Sequence, residues 1–324
     1  MNAALKCLLR SKMVNSVVKL GIDIGGTKIA VGLVDRENRL IGVRKLYVSE
    51  ITDPVGALSD SARALCADCG ISPCDIISCG IGVPGTVSRD GRRLIKAPNL
   101  AMLPEDFADR MAHAFGVPTH MIQDSRAAAW GEYRCGAGIG ASTLLCITLG
   151  TGIGTGIVID GRIIHGGLGT AGELGHVPVT SGGRSCGCGK CGCVEKYAAG
   201  GGLDVTAQEL FGEGASAVTL FDAASRGHAA AETAISDAVQ MLGDVLVGAV
   251  NLLSPDCLLF SGGLSEQTEK YLYPLCEHIR TKCYTAGTLP RIEKAKLGEL
   301  SPLIGAALIP HEQIETETFN HTVI

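Results

Sequence analysis

TLGTGIGTGIVIDGRIIHGGLGTAGELGHVPVTSGGRSCGCGKCGCVEKY, residues 148–197, brings a glycine-rich turn, the acids Glu173 and Glu195, His176 and four cysteines together within fifty positions. The apolar run Leu144 to Leu149 ahead of it reads as a buried strand. Gly150-Thr151-Gly152 follows as a turn whose missing side chains let backbone N–H groups approach an anion, phosphate being the obvious guest. Downstream, His176, Cys186, Cys188 and Cys193 run as H-x9-C-x-C-x4-C, one imidazole and three thiolates within reach of a single tetrahedral zinc. Cys191 leaves an alternative, C-x-C-x2-C-x-C, in which four sulfurs hold the metal. Glu173 and Glu195 bracket this set, and acids held rigidly beside a metal suit hydrogen bonding to a polyhydroxylated ligand.

Outside this stretch the same device recurs. Val17 to Ile24 alternates as a strand, Gly25-Gly26-Thr27-Lys28 forms a turn, and Ile29 to Asp35 resumes the β pattern. Alone, that turn reads equally well as a plain hairpin; paired with the turn at 150–156 it becomes one half of a phosphate clamp. The units at 18–28 and 144–156 echo each other as an internal repeat. A third glycine turn, Ser261-Gly262-Gly263, follows a strand over Asp256 to Phe260. Ile76 to Val83 is a buried strand ending in Pro84-Gly85, and helical spacing covers Asp53 to Cys69, Pro104 to Phe115, much of 203–248, and 301–310. Val117 to Gln123 is a strand that delivers Asp124 at its C-terminal end, the edge at which α/β sheets present ligand groups. The plainer reading makes Asp124 the N-cap of the helix that follows.

DIGGTK (23–28), TLGTGIGTG (148–156), AGELGH (171–176) and CGCGKCGCVE (186–195), in this order and spacing, resemble the ROK family of bacterial sugar kinases and sugar-responsive repressors over roughly residues 18 to 310. The resemblance implies an α/β chain of the actin-like ATPase (ribonuclease H-like) fold, two lobes with a central cleft. The small lobe is expected over 17–125 plus a C-terminal helix at about 301–312, and the large lobe, with a zinc-binding loop, over 126–300. It further implies ATP phosphates at Gly25, Gly26, Thr27, Lys28, Gly150, Thr151 and Gly152, adenosine at Gly262 and Gly263, and Mg²⁺ facing Asp23 through water. Asp124 matches the acid of the family's N-D-x-N-A-A-A segment, the catalytic base. Gly85, Asn99 of KAPNL, Gln123, Asp124, Glu173, His176 and Glu195 match sugar contacts, and His176, Cys186, Cys188 and Cys193 match the zinc ligands, with Cys191 a spare thiol.

The activity implied is ATP-dependent phosphorylation of a hexose, glucose to glucose 6-phosphate first, with allose, fructose, mannose, N-acetylglucosamine and N-acetylmannosamine as alternatives. Two departures bear on that choice: Gln123 stands where the family has Asn, and Arg126 replaces the Asn two positions after the acid. Both family positions lie near the sugar, so the departures bear on substrate identity rather than on the reaction; Arg126 either turns outward on its helix or, turned inward, favours a sugar with an anionic or unusual axial group over plain glucose. Family members often form dimers, so a homodimer is expected.

Composition narrows the alternatives. With 46% hydrophobic and 19% charged residues over 324 positions, the chain is globular and large enough for two cores. A net charge of −5 and a pI of about 5.9 lack the electrostatic footprint of a nucleic-acid binder or of a surface for anionic lipid. A sugar-sensing regulator, the rival of another class, carries a DNA-binding domain ahead of DIGGTK, where only about twenty residues stand. A catalytically silent sugar-binding protein is disfavoured by the retained Asp124 and phosphate turns. The 14 cysteines lie mostly in apolar runs, as reduced cytosolic thiols do, and the location expected is the cytoplasm. Cys66, Cys69, Cys74 and Cys79 fall in a helix-then-strand pattern that disfavours a second metal site. Residues 1–16 read as a disordered leader without a cleavage site, with Met13 an alternative start, and no window reaches the roughly 18 apolar residues of a membrane span.

Overall fold

The structure, a computed structural model, describes residues 17–97, 100, 102–284 and 287–317, with side chains to 309. The leader, the start at Met13 and the sugar contact expected of Asn99 lie outside the described residues. The strands are β1 Val18–Ile24, β2 Lys28–Val34, β3 Leu40–Tyr47, β4 Ile76–Val83, β5 Thr86–Val87, β6 Leu94–Lys96, β7 Thr119–Gln123, β8 Thr143–Leu149, β9 Ile153–Ile159, β10 Arg162–Ile163, β11 Cys257–Ser261 and β12 Arg291–Lys294. The α-helices are α1 Pro54–Cys69, α2 Phe107–Phe115, α3 Asp124–Cys135, α4 Glu195–Ala198, α5 Gly200–Phe211, α6 Ala217–Ser225, α7 Ala229–Leu253, α8 Tyr273–Lys282 and α9 Ser301–Glu317. The chain forms two compact units, one running to Gly131 and resuming at Leu300, the other Glu132–Glu299.

In the first unit the sheet order is β3-β2-β1-β4-β7, antiparallel through β3, β2 and β1 and parallel through β1, β4 and β7. Helix α1 opens on Pro54, closes on Gly70 in the left-handed region at φ 68°, and buries the stripe Leu58, Ala62, Leu65 and Cys66. Helix α2 begins at Phe107 and β7 at Thr119, each later than the apolar pattern suggests.

Glycine decides how α9 seats on this sheet. Gly32, Gly21 and Gly80 stand in register across β2, β1 and β4. A Cβ at Gly21 would overlap the Leu303 carbonyl, and one at Gly80 the Ala306 carbonyl. Strand interiors normally disfavour glycine, and here its presence lets a helix backbone lie directly on the sheet. Leu303, Ala306 and Ala307 are fully buried there.

The second unit repeats the pattern with β10-β9-β8-β11-β12, antiparallel through β10, β9 and β8 and parallel through β8, β11 and β12. The internal echo of the glycine turns is therefore an echo of two whole sheets. Helix α7 anchors the core of this unit through Ala231, Ile235, Ala238, Leu242, Leu246 and Val250. By length and composition α7 is apolar enough to cross a membrane, which corrects the sequence reading that no window is. Its buried stripe accounts for that character as core packing. Buried Glu132 accepts hydrogen bonds from the backbone N–H groups of Ala137 (2.9 Å), Lys296 (3.0 Å) and Leu297 (2.7 Å), tying the end of α3 to the segment after β12.

Candidate active site

In the first unit, the C-terminal ends of parallel β1, β4 and β7 present Asp23, Gly82 and Gln123 along one edge, in the registers Asp23↔Gly82 and Val83↔Gln123. Asp124 opens α3 at once, and its Oδ1 accepts the Ser125 N–H at 2.6 Å. The Asp23 carboxylate and Ala127 both border Gly82, so Asp23 lies against the first turn of α3. Burial, and then the charge of Asp124, hold the Asp23 carboxyl up to about 7 from an ordinary 3.8. Arg126 is only 4% exposed and so does not turn out to solvent.

The turn after β1 is braced by Gly25 N–H donating to the Lys28 carbonyl at 2.9 Å and by Val48 N–H donating to the Thr27 carbonyl at 2.9 Å. Among the described residues nothing accepts from the N–H groups of Gly26 and Thr27, which are exposed. A Cβ at Gly26 would meet no atom, so packing does not explain the missing side chain. Lys28 starts β2 and sets its Nζ 5.8 Å from the centre of the Tyr47 ring. Gly85, at φ 130°, is explained locally, because a Cβ there would overlap the Lys96 carbonyl at the β5–β6 ribbon.

In the second unit, the turn after β8 has the same construction. Gly150 N–H donates to the Gly152 carbonyl at 3.0 Å, and among the described residues nothing accepts from Thr151 and Gly152. A Cβ at Gly150 would again meet no atom. Gly262 and Gly263 lie beside this turn: Ser261 pairs with Thr148, and a Cβ at Gly262, φ 88°, would overlap the Leu149 carbonyl.

Three hydrogen bonds that the sequence did not suggest fasten the turn. Glu195 Oε2 accepts the Ile153 N–H at 3.0 Å, and the N–H groups of Gly200 and Gly201 donate to the Gly150 and Thr151 carbonyls at 2.9 and 3.0 Å. The signal available was Gly200-Gly201-Gly202 opening a helix, where glycine is a poor helix former and needs another reason to be present.

His176 with Cys186, Cys188 and Cys193 forms a donor set whose ligand atoms all lie within 4.8 Å of one another. His176 Nδ1 is 3.5 Å from Cys186 Sγ, and Cys188 Sγ is 3.6 Å from Cys193 Sγ. Zinc with ordinary bond lengths and tetrahedral angles spaces its donors at about 3.6 Å for N to S and about 3.8 Å for S to S, so this set fits the ion. Cys191 is exposed, 4.0 Å from Ser185 Oγ, and stands outside the set. The other imidazole nitrogen, Nε2, lies 3.8 Å from Glu173 Oε2, beyond hydrogen-bond distance. Among the described residues no other such donor set occurs, Cys66, Cys69, Cys74 and Cys79 included.

The family described as "ROK family" matches residues 19–313. The chain is similar to a glucokinase of Streptomyces coelicolor, 30% identical over 316 residues that cover 90% of this chain and 97% of that one. It is similar to an N-acetylmannosamine kinase of Salmonella heidelberg, 30% identical over 301 residues, 90% and 97% of the two chains. Among solved structures it matches a ROK family glucokinase from Streptomyces griseus in complex with glucose and AMPPNP, with a TM-score of 0.75, 32% identity, and 91% and 99% of the chains covered.

Proposed function

The chain belongs to the ROK family, with its actin-like ATPase fold and ATP-dependent sugar kinases, and from that premise we propose that it transfers the γ-phosphoryl group of ATP to a hexose hydroxyl, glucose to glucose 6-phosphate. The observation that carries this reading is the repeated turn: after β1 and again after β8, two backbone N–H groups stand without an acceptor among the described residues beside a glycine that packing does not require. Such turns bind phosphate oxygens through fixed backbone dipoles.

Asp124 takes the proton of the acceptor hydroxyl as its oxygen attacks the γ-phosphorus, the bond to the β-phosphate oxygen breaks, and ADP leaves. A base of this kind contributes roughly 10²- to 10⁴-fold, and positioning with electrostatics supplies most of the remainder. Asp23 would hold Mg²⁺, which would supply neutralisation of the phosphate charge. Glu173, His176 and Glu195 hold sugar hydroxyls. His176, Cys186, Cys188 and Cys193 would hold zinc, which would supply order to the loop rather than chemistry. The reaction is assigned to the cytoplasm, with a homodimer as the working form.

Buried Arg126 favours a second reading for the acceptor, a hexose with a polar or anionic substituent, N-acetylmannosamine among the candidates. Coupled ADP release over glucose, allose, fructose, mannose, N-acetylglucosamine and N-acetylmannosamine is the test. Highest kcat/KM on glucose is expected; highest on an N-acetylhexosamine moves the assignment to the second reading. No sugar-dependent ADP release with any of them removes the kinase reading and leaves a sugar sensor.

A further inference from the structure

We propose that Glu195 is a positioning residue for the nucleotide: its carboxylate locks the phosphate-facing turn at 150–153 in place, so the metal-braced loop and the nucleotide turn act as one body. The inference rests on the assignment of that turn to ATP phosphates. The Ile153 backbone is held on both sides. Its N–H donates to Glu195 Oε2 at 3.0 Å, and its carbonyl lies where a Cβ at Gly175, the residue before His176, would overlap it. Gly172 likewise packs on the Thr155 carbonyl, so the segment leading to His176 lies along β9 from its first residue.

Glu195 itself follows Cys193 by two positions and opens α4, so the zinc ligands fix where its side chain begins. Gly152 completes the lock. A Cβ there would stand 2.5 Å from Glu195 Oε2, closer than real Cβ contacts, so the bare α-carbon is what admits the carboxylate. Gly200 and Gly201 donate to the carbonyls of Gly150 and Thr151, so three hydrogen bonds to the turn come from the segment just after the last zinc ligand. The N–H of Ile153 is thereby committed to Glu195, while those of Thr151 and Gly152, which have no acceptor among the described residues, are left to bind the ligand. A hydrogen bond to a charged acceptor is the strong kind, and it fixes those two donors before the ligand arrives.

The test measures Mg-ADP affinity of the full zinc-loaded chain without sugar, using a fluorescent ADP analogue, with bound zinc counted in each variant. Glu195→Ala is expected to weaken binding roughly tenfold, the loss of one charged hydrogen bond, while keeping its zinc. Glu195→Gln, whose amide oxygen can accept the same N–H, is expected to stay within about threefold of the parent. Gly152→Ala is expected to weaken binding in the parent background and to add little in Glu195→Ala, because the atom its Cβ meets is then gone. Should Glu195→Ala fail to fold or lose its metal, Glu195→Asp keeps the charge and withdraws the oxygen by one methylene, with the same loss expected. Parental ADP affinity in the folded, zinc-bearing Ala or Asp variant overturns the proposal. A parent protein that binds no Mg-ADP at all sinks the nucleotide reading of the turn instead, a result distinct from the first.

Discussion

Asp23 and Asp124, 101 positions apart in sequence, meet at one sheet edge closely enough that the charge of Asp124 adds to burial in holding the Asp23 carboxyl up to about 7. Two acids at the C-terminal ends of β1 and β7, the strands on either side of β4, form a pair that resists carrying two charges at once until a cation joins them.

The pair makes stability depend on pH. A carboxyl whose folded pKa is raised from 3.8 to about 7 contributes fully below about pH 4, and that contribution is lost as the pH rises through 7. The urea midpoint of the metal-free protein is expected to fall between about pH 5 and about pH 8, and Asp23→Asn is expected to flatten the fall. An unchanged slope in Asp23→Asn would take Asp23 out of this account. Mg²⁺, which favours the ionised acid, is expected to bind more tightly as the pH passes 7.

Asp124→Asn is expected to lower kcat by roughly 10²- to 10⁴-fold, the value of a general base, with sugar affinity by calorimetry within a few-fold of the parent. Equal loss of kcat and of sugar affinity would assign Asp124 to binding rather than to proton transfer.

Cys193→Ser is expected to lose the zinc and lower the thermal midpoint, whereas Cys191→Ser is expected to keep one zinc per chain. Cys193 is 1% exposed within the donor set and Cys191 lies outside it. Metal counting after dialysis decides, and loss of zinc from Cys191→Ser would move that residue into the coordination sphere.

Gly80→Ala is expected to cost about 3 kcal/mol or to prevent folding, as overpacking against a backbone does. The added methyl would overlap the Ala306 carbonyl of α9, a backbone atom that cannot step aside as a flexible side chain can. Denaturant unfolding of the parent and variant measures it, and a change below about 0.5 kcal/mol, the surface-substitution range, would show that α9 does not press on β4.

Much of the architecture was legible residue by residue. The strands at 18–24, 76–83 and 144–149 are apolar runs ended by glycine turns, and the repeat of turn after strand pointed to the repeat of sheets. Such patterns are local, since alternation, caps and turn chemistry act within a few residues. The glycines at 21, 32 and 80 were not legible, because a strand pattern gives no hint that a helix nearly three hundred positions after Gly21 will settle on them.

What the amino-acid order by itself determined about this protein is its family, its element types and the set of residues from which a site can be built, because these reside in motif spacing and short-range periodicity. Only the tertiary structure decided which of four nearby thiols join His176, that Arg126 is buried, that Asp23 shares its surroundings with Asp124, and that Glu195 reaches the Ile153 amide. Each of these is a matter of a few ångströms between groups separated along the chain. Electrostatic and hydrogen-bond energies depend on that distance and on the exclusion of water, and both are set by how the sheets and loops pack.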